Sequence, residues 1–244
     1  MNILAIDSSG LTASVAIMKD GKLAAEYTVN NKKTHSQTLL PMIDEIMKAE
    51  DMEPAQLDCI AISRGPGSFT GLRIGSATAK GLGLALDIPV AEVSSLDALA
   101  YNLYGNEGCI ICPIMDARRQ EVYTAAYEFV PVSEGEQADS YKMKKIIDEK
   151  ACPLTELLEE LGKTGKKVIF NGDGVPVNKE NICEYLKDKA VFAPESLLLQ
   201  KASSVASIGA LLYQNGGTVS ADAHVPVYLR KSQAEREREA DNVQ

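Results

Sequence analysis

Apolar and polar positions along the chain predict a series of short elements. Residues 2–7 (NILAID) and 13–18 (ASVAIM) are apolar runs, and Asp20-Gly21 stands where a type I′ hairpin turn needs it. A third, alternating run from Lys22 to Val29 completes a three-stranded meander. Leu39, Leu40, Met42, Ile43, Ile46 and Met47 then recur at helical spacing, with Thr34 or Ser36 available as a cap, which predicts a first helix reaching about Ala49. Asp58 to Ser63 (DCIAIS) is a short continuous apolar run of the kind a buried parallel strand shows. It leads through SRGPGSFTGLRIG (63–75) into a second helix, Gly71 to Leu86, and a strand, Val90 to Val93. Strand, loop, helix, strand marks the chain as α/β.

After the helix-like SSLDALAYNLYG the order starts again. Cys109 to Asp116 (CIICPIMD) reads as a strand ending in aspartate, ARRQ as a polar turn and EVYTAAYEF as the next strand, with helices near 153–162 and 175–189. The parallel with LAIDSSGLTASVAI predicts two related lobes, 1–104 and 105–230. The helix from Ser203 to Gln214 is expected to pack back on the first lobe, and the charged tail 231–244 to be solvated and frayed.

Composition narrows the function classes. The chain has 244 residues, 45% of them apolar, and no apolar run near the length of a membrane span. Met1 leads straight into the first strand, so no secretory leader is expected, and five cysteines fit free thiols in a reducing cytoplasm. The balance of 25 basic against 34 acidic residues gives a net charge of −9, which disfavours sustained nucleic-acid contact by this chain alone.

The glycine-rich stretch fails both phosphate-loop patterns. Gly71 is followed by Leu72 where a P-loop needs lysine, and Gly67 and Gly71 enclose three residues where a dinucleotide fingerprint needs two. Ser68 or Thr70 can cap the helix that follows, after a tight turn at Pro66-Gly67. Gly71, Gly75, Gly81 and Gly83 each weaken that helix by about 0.5–1 kcal/mol relative to alanine, so packing has to compensate. Gly75, Ala79 and Gly83 form a small-residue stripe that admits another backbone, either this chain's own sheet or first helix, or a second chain.

Asp7, Ser8 and Ser9, with Thr12, could form a turn for phosphate or Mg²⁺; strand-end aspartates also bond the adjacent backbone. Cys109 and Cys112 lie on a strand, where i and i+3 point to opposite faces, and read as buried thiols. His35 and His224 are the two histidines and are far apart in sequence, which excludes a helical metal pair. Counting does not exclude a Ser/His/Asp triad, but no G-x-S-x-G elbow is present.

ILAIDSS, GPGSFTGLRIG, DARRQEVY and VPVYLR together resemble the bacterial TsaB family, the dimerisation subunit of the tRNA threonylcarbamoyladenosine synthase complex, once called the inactive glycoprotease homologue. The resemblance spans nearly the whole chain. It implies two related lobes of the actin/sugar-kinase/Hsp70 (RNase H-like) type and a cytoplasmic, non-catalytic paralogue of a metal-binding threonylcarbamoyltransferase. In that paralogue two histidines on the first long helix hold the metal; here KTHSQTLLPMID keeps His35 and has Leu39 four residues on.

The resemblance further implies that the partners meet through the first two helices. The interface residues it suggests are His35, Leu39, Met42, Ile43, Ile46, Gly71, Leu72, Gly75, Ser76, Ala79 and Gly83, beside the family loop Gly65, Pro66, Gly67, Ser68, Phe69, Thr70 and Arg73. The implied partners are the catalytic threonylcarbamoyltransferase, a small ATPase subunit of the same complex, and a second copy of this chain when the paralogue is absent. tRNA is then contacted mainly through the partners. No metal or required cofactor is expected, and ATP binding is weak at most: Asp7, Ser8 and Ser9 fall at the fold's first phosphate loop and Gly172 and Gly174 at a candidate nucleotide loop, but bulky residues fill the second phosphate loop at 116–119. Two alternatives remain at this point. One is an ATP-dependent kinase or acyltransferase of the same fold using Asp7 and Asp116 as metal or base residues; the other is a peptidase, suggested by the family's old name.

Overall fold

The computed structural model describes residues 1–31, 33–132 and 140–230; the tail expected to be frayed, 231–244, lies outside them. The first sheet contains β1 (Asn2–Asp7), β2 (Ala13–Lys19), β3 (Lys22–Val29), β4 (Cys59–Gly65) and β5 (Val90–Ser94), in the order β3-β2-β1-β4-β5. β1 pairs antiparallel with β2 and parallel with β4. Asp20 (φ 47°) and Gly21 (φ 76°) turn the β2–β3 hairpin with the positive φ values that a type I′ turn requires.

The second sheet repeats this plan. It holds β6 (Ile110–Asp116), β7 (Glu121–Pro131), β8 (Tyr141–Pro153), β9 (Val168–Asn171) and β10 (Ala190–Phe192) in the order β10-β9-β6-β7-β8. β6 pairs antiparallel with β7 and parallel with β9, as β1 does with β2 and β4. The same order and the same senses make the two α/β lobes related units. β8 has no counterpart in the sequence-based reading: it is a lysine-rich edge strand, and edge strands carry such charges because they block pairing with another chain.

Helices α1 (His35–Ala49) and α2 (Phe69–Leu86) cover one face of the first sheet. Leu4, Ile6, Val15, Ile60 and Ile62 point at them and meet Leu39, Ile43 and Ile46. Alternate residues Ile3, Ala5, Ala16 and Ala61 face the other way and meet Val205, Ala206 and Ala210 of α7 (Ala202–Gln214). The small side chains let α7 approach so closely that a Cβ on Gly209 would overlap Ala61. β1 and β4 read as continuous apolar runs because both of their faces are buried.

α4 (Leu154–Thr164) and α5 (Val175–Leu186) cover the outer face of the second sheet, and α3 (Ser95–Tyr101) covers the inner one through Leu96, Leu99 and Ala100. A short α6 (Glu195–Leu198) precedes α7. Each half of the chain thus sends its last helix onto the other half's sheet, and α3 meets α7 at the seam, where Ser204 Oγ donates to Asn102 Oδ1 at 2.7 Å. Three local expectations change. The α-helix after Gly174 ends at Leu186, with a 3-10 turn over 187–189. Thr34 occupies the N-cap position of α1, yet its hydroxyl bonds Ser36 Oγ at 3.0 Å and caps no backbone amide. At α2 the cap is Ser68, whose Oγ accepts from Gly71 N at 3.3 Å, while Thr70 lies inside the helix.

Candidate functional site

β1 and β4 lie side by side, so the turn after Asp7 and the loop before α2 emerge together at one end of the sheet. Asp7 is fully buried, and its Oδ1 accepts from Ser9 N at 2.9 Å and Ser9 Oγ at 2.7 Å. Burial raises its pKa, opposed by those two hydrogen bonds and by nearby His35. The start of α2 sits directly on this turn. Ser68 N donates to Ser9 O at 2.7 Å and Ser8 Oγ to Gly71 O at 2.9 Å. A Cβ on Gly67 would overlap the Ser9 carbonyl, one on Gly71 the Ser8 carbonyl and one on Gly75 the Ser8 hydroxyl. Three of the glycines in GPGSFTGLRIG exist for this close approach. Of the residues expected at a phosphate loop, Ser8 and Ser9 bond inside the chain, as does Asp7 through Oδ1, while Asp7 Oδ2 is buried with no hydrogen-bond partner among the described residues.

The second candidate loop behaves alike. Gly174 N donates to Ile114 O at 3.0 Å and Gly172 N to Leu198 O at 2.6 Å, and a Cβ on Gly172 would overlap Ile114 O. Neither glycine presents its amide to a ligand. What does face the space between the lobes is a cleft of about 520 Å³ whose rims include Ser9, Ser68, Phe69, Asp116, Arg118 and Tyr228. Asp173 Oδ1 accepts from Asp116 N at 3.2 Å, and burial, with the Asp116 charge, raises the Asp173 pKa. Arg118, Arg119 and Gln120 turn back to β7 with φ of 65°, 56° and 63°. Among the described residues no group of three or more His, Cys, Asp or Glu is placed to hold a metal ion.

The structure also assembles a constellation that counting left open. His224 is buried, with Nδ1 2.6 Å from Glu92 Oε1 and Nε2 2.9 Å from Ser76 Oγ. The order Ser–His–Glu is that of a hydrolytic triad. Ser76, however, sits inside α2 at 5% exposure, with the small-residue side of the helix against its own lobe. The arrangement fastens the C-terminal segment rather than exposing a nucleophile. Cys112 is likewise a buried thiol, with Sγ 3.5 Å from Thr124 Oγ1, and all five cysteines are free.

A family model described as TsaD, tRNA N6-adenosine threonylcarbamoyltransferase, matches residues 22–238. The tRNA threonylcarbamoyladenosine biosynthesis protein TsaB of Bacillus subtilis is 34% identical over 237 residues, with 96% of each chain covered. Its Escherichia coli namesake is 29% identical, again with 96% of each covered. The chain belongs to the TsaB family. Among solved structures, YeaZ from Pseudomonas aeruginosa aligns with a TM-score of 0.73 at 27% identity over 93% of this chain and 99% of that one. A second structure, of an uncharacterized protein with similarity to peptidase YeaZ from Pseudomonas aeruginosa, reaches 0.76 at 28% identity over 94% of this chain and 99% of that one. The α/β fold of two related lobes is shared with these two structures.

In this TsaB-family chain the residues suggested for a partner interface need correction. Leu39, Met42, Ile43, Ile46, Gly71, Leu72, Gly75, Ser76, Ala79 and Gly83 are all buried within the first lobe. Gly83 backs onto Ala221, where a Cβ would come within 2.7 Å of the alanine methyl. His35 is half-buried and its Nε2 lies 3.1 Å from Gly10 O. The stripe Gly75, Ala79, Gly83 therefore serves the chain's own turn and C-terminal segment. Two positions round the helix, Ala77, Gly81 and Ala85 form a second small-residue stripe, and all three are exposed. A Cβ on Gly81 would meet nothing within 4 Å. Beside it Leu84 is 59% exposed, and Leu40 of α1 57%.

Of the family loop, Gly65 lies under the Val227 carbonyl at φ 118°, and Ser68, Phe69, Thr70 and Arg73 reach the surface. Pro66 is buried beside Gly67. Sequence reasoning missed the parts played by Glu92, His224, Tyr228 and Arg230. VPVYLR signalled the last of these segments, but residue spacing alone does not say what it crosses.

Proposed function

We propose that this chain is a non-catalytic dimerisation subunit needed for threonylcarbamoylation of the tRNA adenosine next to the anticodon, the process named for its TsaB relatives. It docks the catalytic, metal-containing paralogue through the outward faces of α1 and α2. The observation that carries this reading is the open stripe Ala77, Gly81, Ala85 with exposed Leu84 on the same helix; Leu40 of α1 is exposed as well. Glycine on an exposed helix face weakens the helix by about 1 kcal/mol, and close helix packing against a second chain offsets that loss. A second copy of this chain competes for the same face when the paralogue is absent.

The chemistry belongs to the partner. At the place of the second metal histidine stands Leu39, 1% exposed and packed in the core. A small ATPase subunit completes the complex, tRNA is contacted mainly through the partners, and ATP binds this chain weakly at most, since Ser8, Ser9, Gly172 and Gly174 spend their polar groups internally.

The test is incorporation of labelled threonine into tRNA by the reconstituted partner enzymes with ATP and bicarbonate. Incorporation that requires this chain, and falls when Gly81→Arg is substituted for it, is the expected result. Undiminished incorporation without the chain overturns the proposal.

A further inference from the structure

The segment 219–230 runs along the first lobe and ends on the second. It begins at the sheet edge, where Val90 and Val219 exchange backbone hydrogen bonds of 2.8 and 2.9 Å. Lys80 Nζ then donates to the carbonyls of Asp222 (2.8 Å) and His224 (3.0 Å). The His224 ring is held on both nitrogens by Glu92 and Ser76. Val227 N donates to Arg64 O at 2.7 Å, and the missing side chain of Gly65 makes room for the Val227 carbonyl. On the first lobe the segment is thus fixed by many bonds, several of them buried.

On the second lobe it is held through Arg230. Arg230 Nη1 donates to Ala117 O at 2.7 Å and pairs with Glu121 Oε2 at 2.5 Å. Those two residues flank the turn 118–120 on the far rim of the cleft, and Ala117 N itself donates to Glu121 O at 3.0 Å. The near rim is joined to the same strap by a tilted aromatic contact. Tyr228 lies 4.8 Å from the Phe69 ring at the start of α2, and the Arg73 guanidinium covers that ring at 4.0 Å.

We propose that the segment is a clamp across the lobes, with His224 as its permanent anchor and Arg230 as its releasable end. Docked, Arg230 holds the turn 117–121 against the strap and fixes the cleft opening; released, it frees that turn while the first lobe keeps its shape. The contacts Arg73, Phe69, Tyr228 link exposed Arg73 of α2 to the strap two residues before Arg230. In the part of the inference that rests on the proposed docking at α2, a partner on that face stabilises the docked state and so sets the position of the second lobe. In this coupling the two states are Arg230 paired with Glu121 and Arg230 released from it.

Hydrogen exchange on the full chain tests this. In Arg230→Ala, and independently in Glu121→Gln, the amides of Ala117 and Glu121 are expected to exchange at least roughly tenfold faster than in the parent, while amides of β1 and β4 do not change. Equal exchange at Ala117 and Glu121 in parent and both variants overturns the clamp. With the catalytic paralogue added, the parent is expected to gain protection at 117–121 and Arg230→Ala to gain none. Protection that persists in Arg230→Ala overturns the coupling. A paralogue that binds neither form instead removes the docking reading and the coupling with it, and leaves the first comparison intact.

Discussion

Ser8 and Gly71 interlock at the foot of α2: the Ser8 hydroxyl donates to the Gly71 carbonyl at 2.9 Å, and the Ser8 carbonyl fills the space that a Cβ on Gly71 would need. This contact joins the turn after β1 to the helix after β4, and the neighbouring Gly67 and Gly75 extend it. It gives the glycines of one helix opposite roles that a single substitution can separate.

Gly71→Ala and Gly75→Ala are expected to destabilise the isolated chain by roughly 1–3 kcal/mol or more, because the atoms they meet are a backbone carbonyl and a buried hydroxyl that cannot move aside. Gly81→Ala has open space around it and is expected to stabilise the chain by about 0.5–1 kcal/mol. Urea denaturation of the three variants checks the contrast. Equal effects at Gly75 and Gly81 would contradict the packing described.

A bulky residue at Ala79 or at Ala77 separates core from surface. Ala79 is fully buried, so Ala79→Leu is expected to destabilise the monomer by about 1–3 kcal/mol whatever its partners. Ala77 is exposed, so Ala77→Arg is expected to leave the melting temperature within a degree or two while weakening association with the catalytic paralogue at least about tenfold, the effect of 1.4 kcal/mol. Calorimetric titration and thermal unfolding on the same samples distinguish the two. Full affinity in Ala77→Arg would move the interface away from α2.

The two helices are legible in the sequence, but the stripe it offers to a second chain, Gly75, Ala79 and Gly83, is buried in the chain's own lobe, and the reason is physical. Gly75, Ala79, Gly83 and Ala77, Gly81, Ala85 are both small-residue stripes, and spacing cannot say which one faces inward. That is decided by the turn at Ser8, brought beside Gly71 by the β1–β4 pairing across more than sixty residues. The lobes were legible because a repeated strand, turn and helix order is local information. The exchange of α3 and α7 between sheets was half legible: α7 carries the small residues Ala202, Ala206, Gly209 and Ala210 that close packing on β1 and β4 needs, whereas α3 meets the second sheet through Leu96, Leu99 and Ala100, ordinary core residues that do not say which sheet they cover. The Glu92–His224–Ser76 contact joins residues from three separate segments and had no local signal.

Asp7 gives the stability a specific pH dependence. Its folded pKa is raised by burial above the ordinary 3.8, so between the unfolded and folded values the native state binds more protons than the unfolded one. Asp7 therefore contributes a loss of stability as the pH rises from 3.8 through its folded value. Asp7→Asn keeps an oxygen to accept from Ser9 and carries no charge. The expected outcome is that the variant gains stability relative to the parent over that interval, and that the gain is constant above it. Denaturation at a series of pH values measures the difference, which cancels the contributions of the other carboxylates. A difference independent of pH would mean that Asp7 titrates normally.

The cysteines report on the same core from another direction. Cys59 and Cys112 are fully buried, and burial pushes each thiol up to about 12; Cys152, also buried, is raised to about 11. The thiolate is the reactive form, so these three groups are protected twice, by access and by protonation. Cys183 is exposed on α5, and Cys109 is half-buried just before β6. With dithionitrobenzoate near pH 8, Cys183 is expected to react first and Cys109 more slowly, while Cys59, Cys112 and Cys152 wait for unfolding in urea. Because Cys59 lies in the first sheet and Cys112 in the second, the denaturant dependence of their labelling tests whether the exchange of α3 and α7 makes the two lobes unfold together. Coincident midpoints are the expected result; separate ones would show that each sheet holds its structure without the other lobe's helix.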